Sequence, residues 1–328
     1  MIDSNFPHYA LVFLFTFIIT VLLERLLIPK LKEKAKQPIY KEGPKWHISK
    51  SGTPTMGGLA FSLAITLMLS VGAVFLYVKG FTKEALSLLL CLLFSIFNSV
   101  IGIIDDYCKL KRNENAGLTP MQKIIAQSVI ALLFLFSRAM LLDEKSVLSF
   151  SFGSFDIGIL YYPLTFIILL GITNCANLTD GIDGLASGVA FAISVSLFYI
   201  SCALSYEVSF ISSAVMGATV SFLVFNLHPA KIFMGDTGSL LLGALLASAS
   251  VALGNPLVIV FVGGIYVLEG VSVILQVLYY KLTKKRLFKM SPFHHHLEKS
   301  GWSENRICIV AIITTFLFSI PAFIFYLP

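Results

Sequence analysis

Residues Ala85 to Ile104 read ALSLLLCLLFSIFNSVIGII, and the next three are Asp105-Asp106-Tyr107. As a helix this uncharged run is about 30 Å long, the thickness of a bilayer's hydrocarbon layer. Comparable runs recur at 9–28, 56–78, 122–142, 158–176, 185–203, 207–226, 238–254, 256–280 and 307–327. Backbone groups in lipid must find partners within their own segment, so the runs read as helices, and alternating strand patterns are absent. The expected fold is therefore all-α: a polytopic integral membrane protein with about ten transmembrane helices. Composition agrees, at 57% hydrophobic, 13% charged and a mean hydropathy of +0.86, outside the range of soluble domains. No stretch has the mixed composition of a second domain, so 1–328 reads as one transmembrane domain. The hardest boundaries are the short turn at Gly254-Asn255-Pro256 and the run that carries Glu269. The first run lacks a basic start and a small-residue cleavage site, so it reads as a retained helix rather than a signal peptide.

Orientation follows from the basic residues. With ten helices, the odd-numbered loops hold 19 of the 24 lysines and arginines. They include Lys30 to Lys50 in the first loop, Lys109, Lys111, Arg112 and Lys123 in the third, Lys231 in the seventh, and Lys281 to Arg306 in the ninth. The other side has Lys79, Lys83, Arg138 and Lys145. The positive-inside rule makes the odd loops cytoplasmic and puts both termini outside. The net charge of +6 is then explained by topology and anionic headgroups, and calls for no nucleic-acid partner. Five cysteines, scattered and without a CxxC pair, read as reduced thiols rather than as a disulfide framework or a zinc site.

Three polar strings interrupt the apolar chain, all in cytoplasmic loops: Ile104-Asp105-Asp106-Tyr107, Asn177-Leu178-Thr179-Asp180-Gly181-Ile182-Asp183-Gly184 and Phe233-Met234-Gly235-Asp236-Thr237-Gly238-Ser239. They hold five of the 18 acidic residues. A carboxylate beside hydrocarbon is costly and usually marks a place where an ion or charged substrate is handled. Asp105 and Asp106 repel each other unless a cation neutralises them, and they are read as closing a helix, where the macrodipole is already negative. Mg²⁺ suits such a pair, because it binds through one or two carboxylates together with substrate phosphates. In the second string Asp183 reads equally as a cap for the helix near Leu185, and the Asp-Gly pairs as turns. Asn174, Asn177, Asp180 and Asp183 nevertheless recur every three residues, a row that can grip a nucleotide base or ribose. Asp236 is either a helix cap or part of a phosphate-approach site, since its flanking glycines bring backbone N–H groups close. His294-His295-His296 cannot all reach one metal from a regular helix, so contact with phosphate oxygens is the preferred reading. Glu269 reads as a structural hydrogen-bonding group, and Gln276 similarly.

Taken in order with Lys50-Ser51-Gly52-Thr53-Pro54-Thr55-Met56-Gly57-Gly58, Met290-Ser291-Pro292-Phe293-His294-His295-His296 and Gly301-Trp302, these strings resemble the polyprenyl-phosphate N-acetylhexosamine-1-phosphate transferases. Within that superfamily they resemble the phospho-N-acetylmuramoyl-pentapeptide transferase family. The resemblance spans about 50 to 306. It implies a Mg²⁺-dependent transfer of phospho-N-acetylmuramoyl-pentapeptide from UDP-N-acetylmuramoyl-pentapeptide to undecaprenyl phosphate, giving lipid I and UMP in peptidoglycan synthesis. It also implies a bacterial cytoplasmic membrane, a site on the cytoplasmic face, and a homodimer. By the same resemblance Asp236, with Asp105 and Asp106, forms the catalytic and metal-binding set. Lys50, Asn177, Asp183, Asn226 and Phe233 match positions at the uridine end, Phe233 by stacking. Thr55, Asp180, His294 and His295 match polar positions around the site. Asp105 is a candidate proton acceptor, and direct attack and a covalent aspartyl route both stay open. Lys109 and Lys123 read either as helping to hold phosphates or as ordinary topology lysines. Two alternatives make different predictions. A transferase of N-acetylglucosamine phosphate should lack the triple histidine, and an ion-coupled transporter should carry its acids near mid-bilayer.

Overall fold

The computed structural model describes residues 6–34, 50, 52–112, 117–143 and 146–326. Lys36, Lys41, Lys45, His47, Ser51, Asn113-Glu114-Asn115 and Lys145 lie outside the described residues. Among the described residues twelve α-helices run in chain order: α1 (Phe6–Lys34), α2 (Gly58–Val78), α3 (Thr82–Arg112), α4 (Pro120–Leu141), α5 (Tyr161–Thr179), α6 (Leu185–Ser201), α7 (Tyr206–Asn226), α8 (Gly235–Ala252), α9 (Val258–Val262), α10 (Gly264–Thr283), α11 (Phe293–Glu298) and α12 (Glu304–Tyr326). Among the described residues nine are long and apolar enough to cross a membrane, and the tenth expected run forms the shorter apolar helix α6.

The bundle is organised around α8, whose residues from Thr237 to Val251 are all buried. A helix that is apolar on every side belongs in the interior. Its neighbours α2, α3, α5 and α7 surround it, and α3 makes the most extensive contact. Small residues permit this: a Cβ on Gly102 of α3 would strike the carbonyl of Asp236, and one on Gly58 of α2 would strike the backbone of Gly238. Van der Waals contact between closely approaching backbones is the main attraction between helices in lipid, where burial alone drives nothing. The outer helices show the complementary pattern. Leu132, Leu133 and Phe136 of α4, Ile274 and Leu278 of α10, and Ile313 and Leu317 of α12 are all exposed, an apolar rim suited to lipid tails.

Three expectations are corrected. The helix carrying Asp105 and Asp106 does not end there but continues to Arg112, and Lys109, Lys111 and Arg112 occupy its last turn. Basic side chains are favourable at that end, so the macrodipole argument against the two carboxylates loses its force. The run 256–280 is broken at Gly263, which caps α9 and starts α10. A Gly-Gly pair gives the chain the freedom for such a break. Contrary to the reading that alternating strand patterns are absent, β1 (Val147–Phe150) and β2 (Gly153–Asp156) form an antiparallel hairpin between two of the runs, pairing Val147 with Asp156 and Phe150 with Gly153. It packs at the bundle end opposite the three polar strings, with Phe150 stacked on Tyr326 and the Asn255 amide donating to the Ser149 carbonyl at 2.8 Å.

Candidate active site

Helix ends bring the distant polar strings together. The last turns of α3, α5 and α7 meet the first turns of α4, α6, α8, α11 and α12 at one end of the bundle. Asp105, Asp106 and Asp236 each contribute a carboxylate oxygen to a group lying within 4.8 Å of one another.

The three acids have different duties there. Asp106 is buried and caps α8 from across the helix contact. Its Oδ1 accepts from the Asp236 N–H at 3.1 Å, and its Oδ2 accepts from the Thr237 N–H at 3.0 Å and the Thr237 hydroxyl at 2.7 Å. α8 has no side-chain cap of its own, so Asp106 supplies the acceptors that the first-turn donors need. Asp105, also buried, accepts the Leu118 N–H at 2.7 Å and pairs with Lys109 at 2.6 Å and Lys123 at 3.0 Å. Asp236 faces the same two ammoniums, with Lys109 at 3.1 Å. Lys109 stands one turn after Asp105 on α3. Lys123 is fixed by a capping box that starts α4, in which Thr119 and Gln122 each accept the other's backbone N–H, with Pro120 in the first turn. Removing that cap with Thr119→Ala should cost about 1 kcal/mol. The change should appear as a lower thermal midpoint in detergent together with a modest loss of turnover.

Asp180 ends α5 beside this group. Burial, reinforced by the charges of Asp236, Asp106 and Asp183, pushes its carboxyl up to about 7. Asp105, Asp106 and Asp236, with Asp180 nearby, outnumber the ammoniums of Lys109 and Lys123 and leave a formal deficit of positive charge. Hard oxygen donors with that deficit fit a divalent cation such as Mg²⁺.

A second group lies beside the first. Lys50 Nζ bridges Asp183 Oδ1 at 2.7 Å and Glu304 Oε2 at 2.6 Å. Asp183 Oδ2 also meets His228 Nδ1 and accepts the Ala230 N–H, both at 3.0 Å. Asp183 is therefore not the cap of α6, where Gly184 stands without a side-chain cap. Asn226 spends its amide on structure, accepting the Gly184 N–H at 3.0 Å and donating to the Ile232 carbonyl at 2.9 Å. Asn177 donates to the Ser239 hydroxyl at 2.8 Å, whereas Asn174, named in the same row, turns to Gln127 at 2.8 Å. Phe233 is half-buried and held by its backbone, its N–H donating to the Pro54 carbonyl and its carbonyl accepting from Gly57. That pairing also sets Thr55, whose hydroxyl lies against Gly235.

The three histidines separate. His294 is buried against Gly181, with its N–H and Nδ1 toward Glu269 at 3.2 Å. His295 pairs with Glu298 at 2.6 Å, and His296 accepts the Lys289 N–H at 3.1 Å while stacking on Phe293. Glu269 and Gln276 hold the structural roles expected of them; Gln276 accepts the N–H groups of Leu287 and Phe288. Glu304 and the pairing of His228 were missed. An acidic residue opening a helix is ordinarily a dipole partner, and no spacing in the sequence links it to Lys50.

A family model described as glycosyl transferase family 4 matches residues 87–254. A signature described as phospho-N-acetylmuramoyl-pentapeptide-transferase signature 1 matches residues 50–61. A protein of Halalkalibacterium halodurans named phospho-N-acetylmuramoyl-pentapeptide-transferase is 43% identical over 315 residues, 95% of each chain. Proteins of the same name from Bacillus subtilis and Clostridium kluyveri are 42% and 40% identical, over 89% and 96% of this chain and 90% and 99% of their own.

Proposed function

Since the chain belongs to the phospho-N-acetylmuramoyl-pentapeptide transferase family, we propose that it makes lipid I for peptidoglycan synthesis. It transfers phospho-N-acetylmuramoyl-pentapeptide from UDP-N-acetylmuramoyl-pentapeptide to undecaprenyl phosphate and releases UMP. The observation that carries this reading is the meeting of Asp105, Asp106 and Asp236 with Lys109 and Lys123 at the N-terminus of α8.

In the reaction an oxygen of the lipid phosphate bonds to the β-phosphorus of the donor, and the bond from that phosphorus to the bridging oxygen breaks, its electron pair leaving with UMP. A lipid phosphate whose second pKa is near ~6 is mostly deprotonated at neutral pH, so direct attack needs no covalent aspartyl intermediate. Lys109 and Lys123 bind the diphosphate oxygens and offset their charge, and Asp105 fixes both ammoniums for that purpose. Asp105, Asp106 and Asp236 are the residues that would hold Mg²⁺, which when bound stabilises the leaving phosphate. Lys50, Asn177 and Asp183 orient the uridine end, and Phe233 supplies a face for uracil. Asn226 acts by holding Gly184 and Ile232. Thr55, Asp180, His294 and His295 complete the wall.

A bacterial cytoplasmic membrane, with this end of the bundle inside, both termini outside, and a homodimeric assembly, completes the reading. Ten crossings are counted, with α6 included and α9 and α10 taken together. The basic loops support the orientation, and the soluble nucleotide donor requires it. The chain acts as one transmembrane domain over 1–328.

The test is UMP release by purified protein in detergent with undecaprenyl phosphate. Release is expected with the muramoyl-pentapeptide donor and Mg²⁺, and not in EDTA. Release with UDP-N-acetylglucosamine but not the muramoyl donor, or no release with either donor from folded protein, would overturn the reading.

A further inference from the structure

Glu304 opens α12, more than a hundred residues along the chain from Asp183, yet three contacts tie it to the nucleotide end. Its Oε2 accepts from Lys50 Nζ at 2.6 Å and from the Asp183 N–H at 2.9 Å, and its Oε1 lies 3.7 Å from His228 Nδ1. Asp183 takes the other side of the same ammonium at 2.7 Å. The side chains are largely withdrawn from water, at 16% exposure for Lys50, 11% for Glu304 and 3% for Asp183. An ammonium on a four-carbon stem has many rotamers, and two carboxylates on opposite sides reduce them to one. Glu304 also holds the backbone of Asp183 directly, so it fixes both members of the Lys50–Asp183 pair.

A metal reading of the same residues is weaker. Asp183, His228 and Glu304 bring ligand atoms within 4.8 Å of one another, but the Lys50 ammonium already sits on both carboxylates and supplies the positive charge. What the group offers a ligand is a rigidly aimed lysine and carboxylate. We propose that Glu304 is a positioning residue for the nucleotide donor, holding Lys50 and Asp183 in the geometry that binds its uridine end. The inference rests on the reading of Lys50 and Asp183 as uridine-end residues.

The plain alternative is that Glu304 merely fastens α12 to the bundle. The two differ in kinetics. Glu304→Gln keeps the shape and removes the charge. If Glu304 positions the donor, the KM for UDP-N-acetylmuramoyl-pentapeptide should rise roughly tenfold, as expected for the loss of one charge-assisted contact. Both kcat and the KM for undecaprenyl phosphate should stay within about threefold of wild type. Glu304→Asp, which restores the charge, should recover part of the donor KM. In a Lys50→Gln background, adding Glu304→Gln should raise the donor KM by clearly less than the tenfold it causes alone, because only its contact with the Asp183 N–H is left to act through. An unchanged donor KM in Glu304→Gln, or effects of the two substitutions that multiply, would overturn the proposal. If Glu304→Gln fails to fold in detergent, Glu304→Asp carries the test, and a wild-type donor KM in it would overturn the proposal. Failure of the underlying reading looks different: Lys50→Gln alone would leave the donor KM unchanged, or wild-type protein would release no UMP.

Discussion

Asp236→Asn should lower kcat for UMP release by about a thousandfold or more while leaving the protein folded, a loss of about 4 kcal/mol of transition-state stabilisation. Asparagine keeps the size of the side chain. The backbone position is secured independently, since the Asp236 N–H donates to Asp106 and the Thr237 N–H does the same. What disappears is the charge that Lys109 and Lys123 both face, and one of the three carboxylates around the candidate cation site. Both losses fall where the diphosphate must be held, so substrate binding alone cannot absorb them. Turnover at saturating substrates, read alongside the thermal midpoint in detergent, separates this from misfolding. A variant within tenfold of wild type would remove Asp236 from the chemistry.

Much of this site could be read from the chain because lipid leaves few options. Charges are rare in the runs, so Asp105, Asp106, Asp180, Asp183 and Asp236 stand out, and membrane-length helices bring their ends to a common surface. The division of labour among those residues could not be read. Asp106 and Asp105 are adjacent and chemically identical, yet one caps α8 and the other fixes two lysines, a difference set by which way each points on α3. Asn226, which reads as a ligand group in sequence, also ties Gly184 to Ile232 in space, a role no spacing announces. The extension of α3 to Arg112 escaped the reading because polar helix beyond an apolar run resembles loop in composition. The hairpin at 147–156 escaped because its alternation, Leu148-Ser149-Phe150-Ser151-Phe152, covers only five residues in a connection between two membrane-length runs. Glu304 escaped for the most general reason: its partners Lys50, Asp183 and His228 lie far away in sequence, and only packing brings them within reach.

The second large effect is expected from a single methyl group. Gly102→Ala should reduce turnover by about a hundredfold or more and lower the thermal midpoint, whereas Gly171→Ala should do neither. Both glycines lie within long apolar helices, and alanine is the better helix former by about 1 kcal/mol at either position. Propensity alone therefore predicts a gain twice. The surroundings separate them: a Cβ at Gly171 meets nothing within 4 Å, while one at Gly102 would strike the Asp236 carbonyl and come within 2.6 Å of the Thr237 nitrogen. Those atoms are backbone in the first turn of α8 and cannot rotate aside, so α8 must retreat from α3 by on the order of 1 Å to restore ordinary contact. The retreat would pull the Asp236 and Thr237 N–H groups away from Asp106 and lengthen the reach from Asp236 to Lys109. Misplacement of that size is enough to cost about a hundredfold in rate. Overpacking adds roughly 1–3 kcal/mol of instability. Measured in parallel, the two variants test whether the closeness of α3 and α8 is what assembles the site. Equal activity in Gly102→Ala and Gly171→Ala would show that it is not.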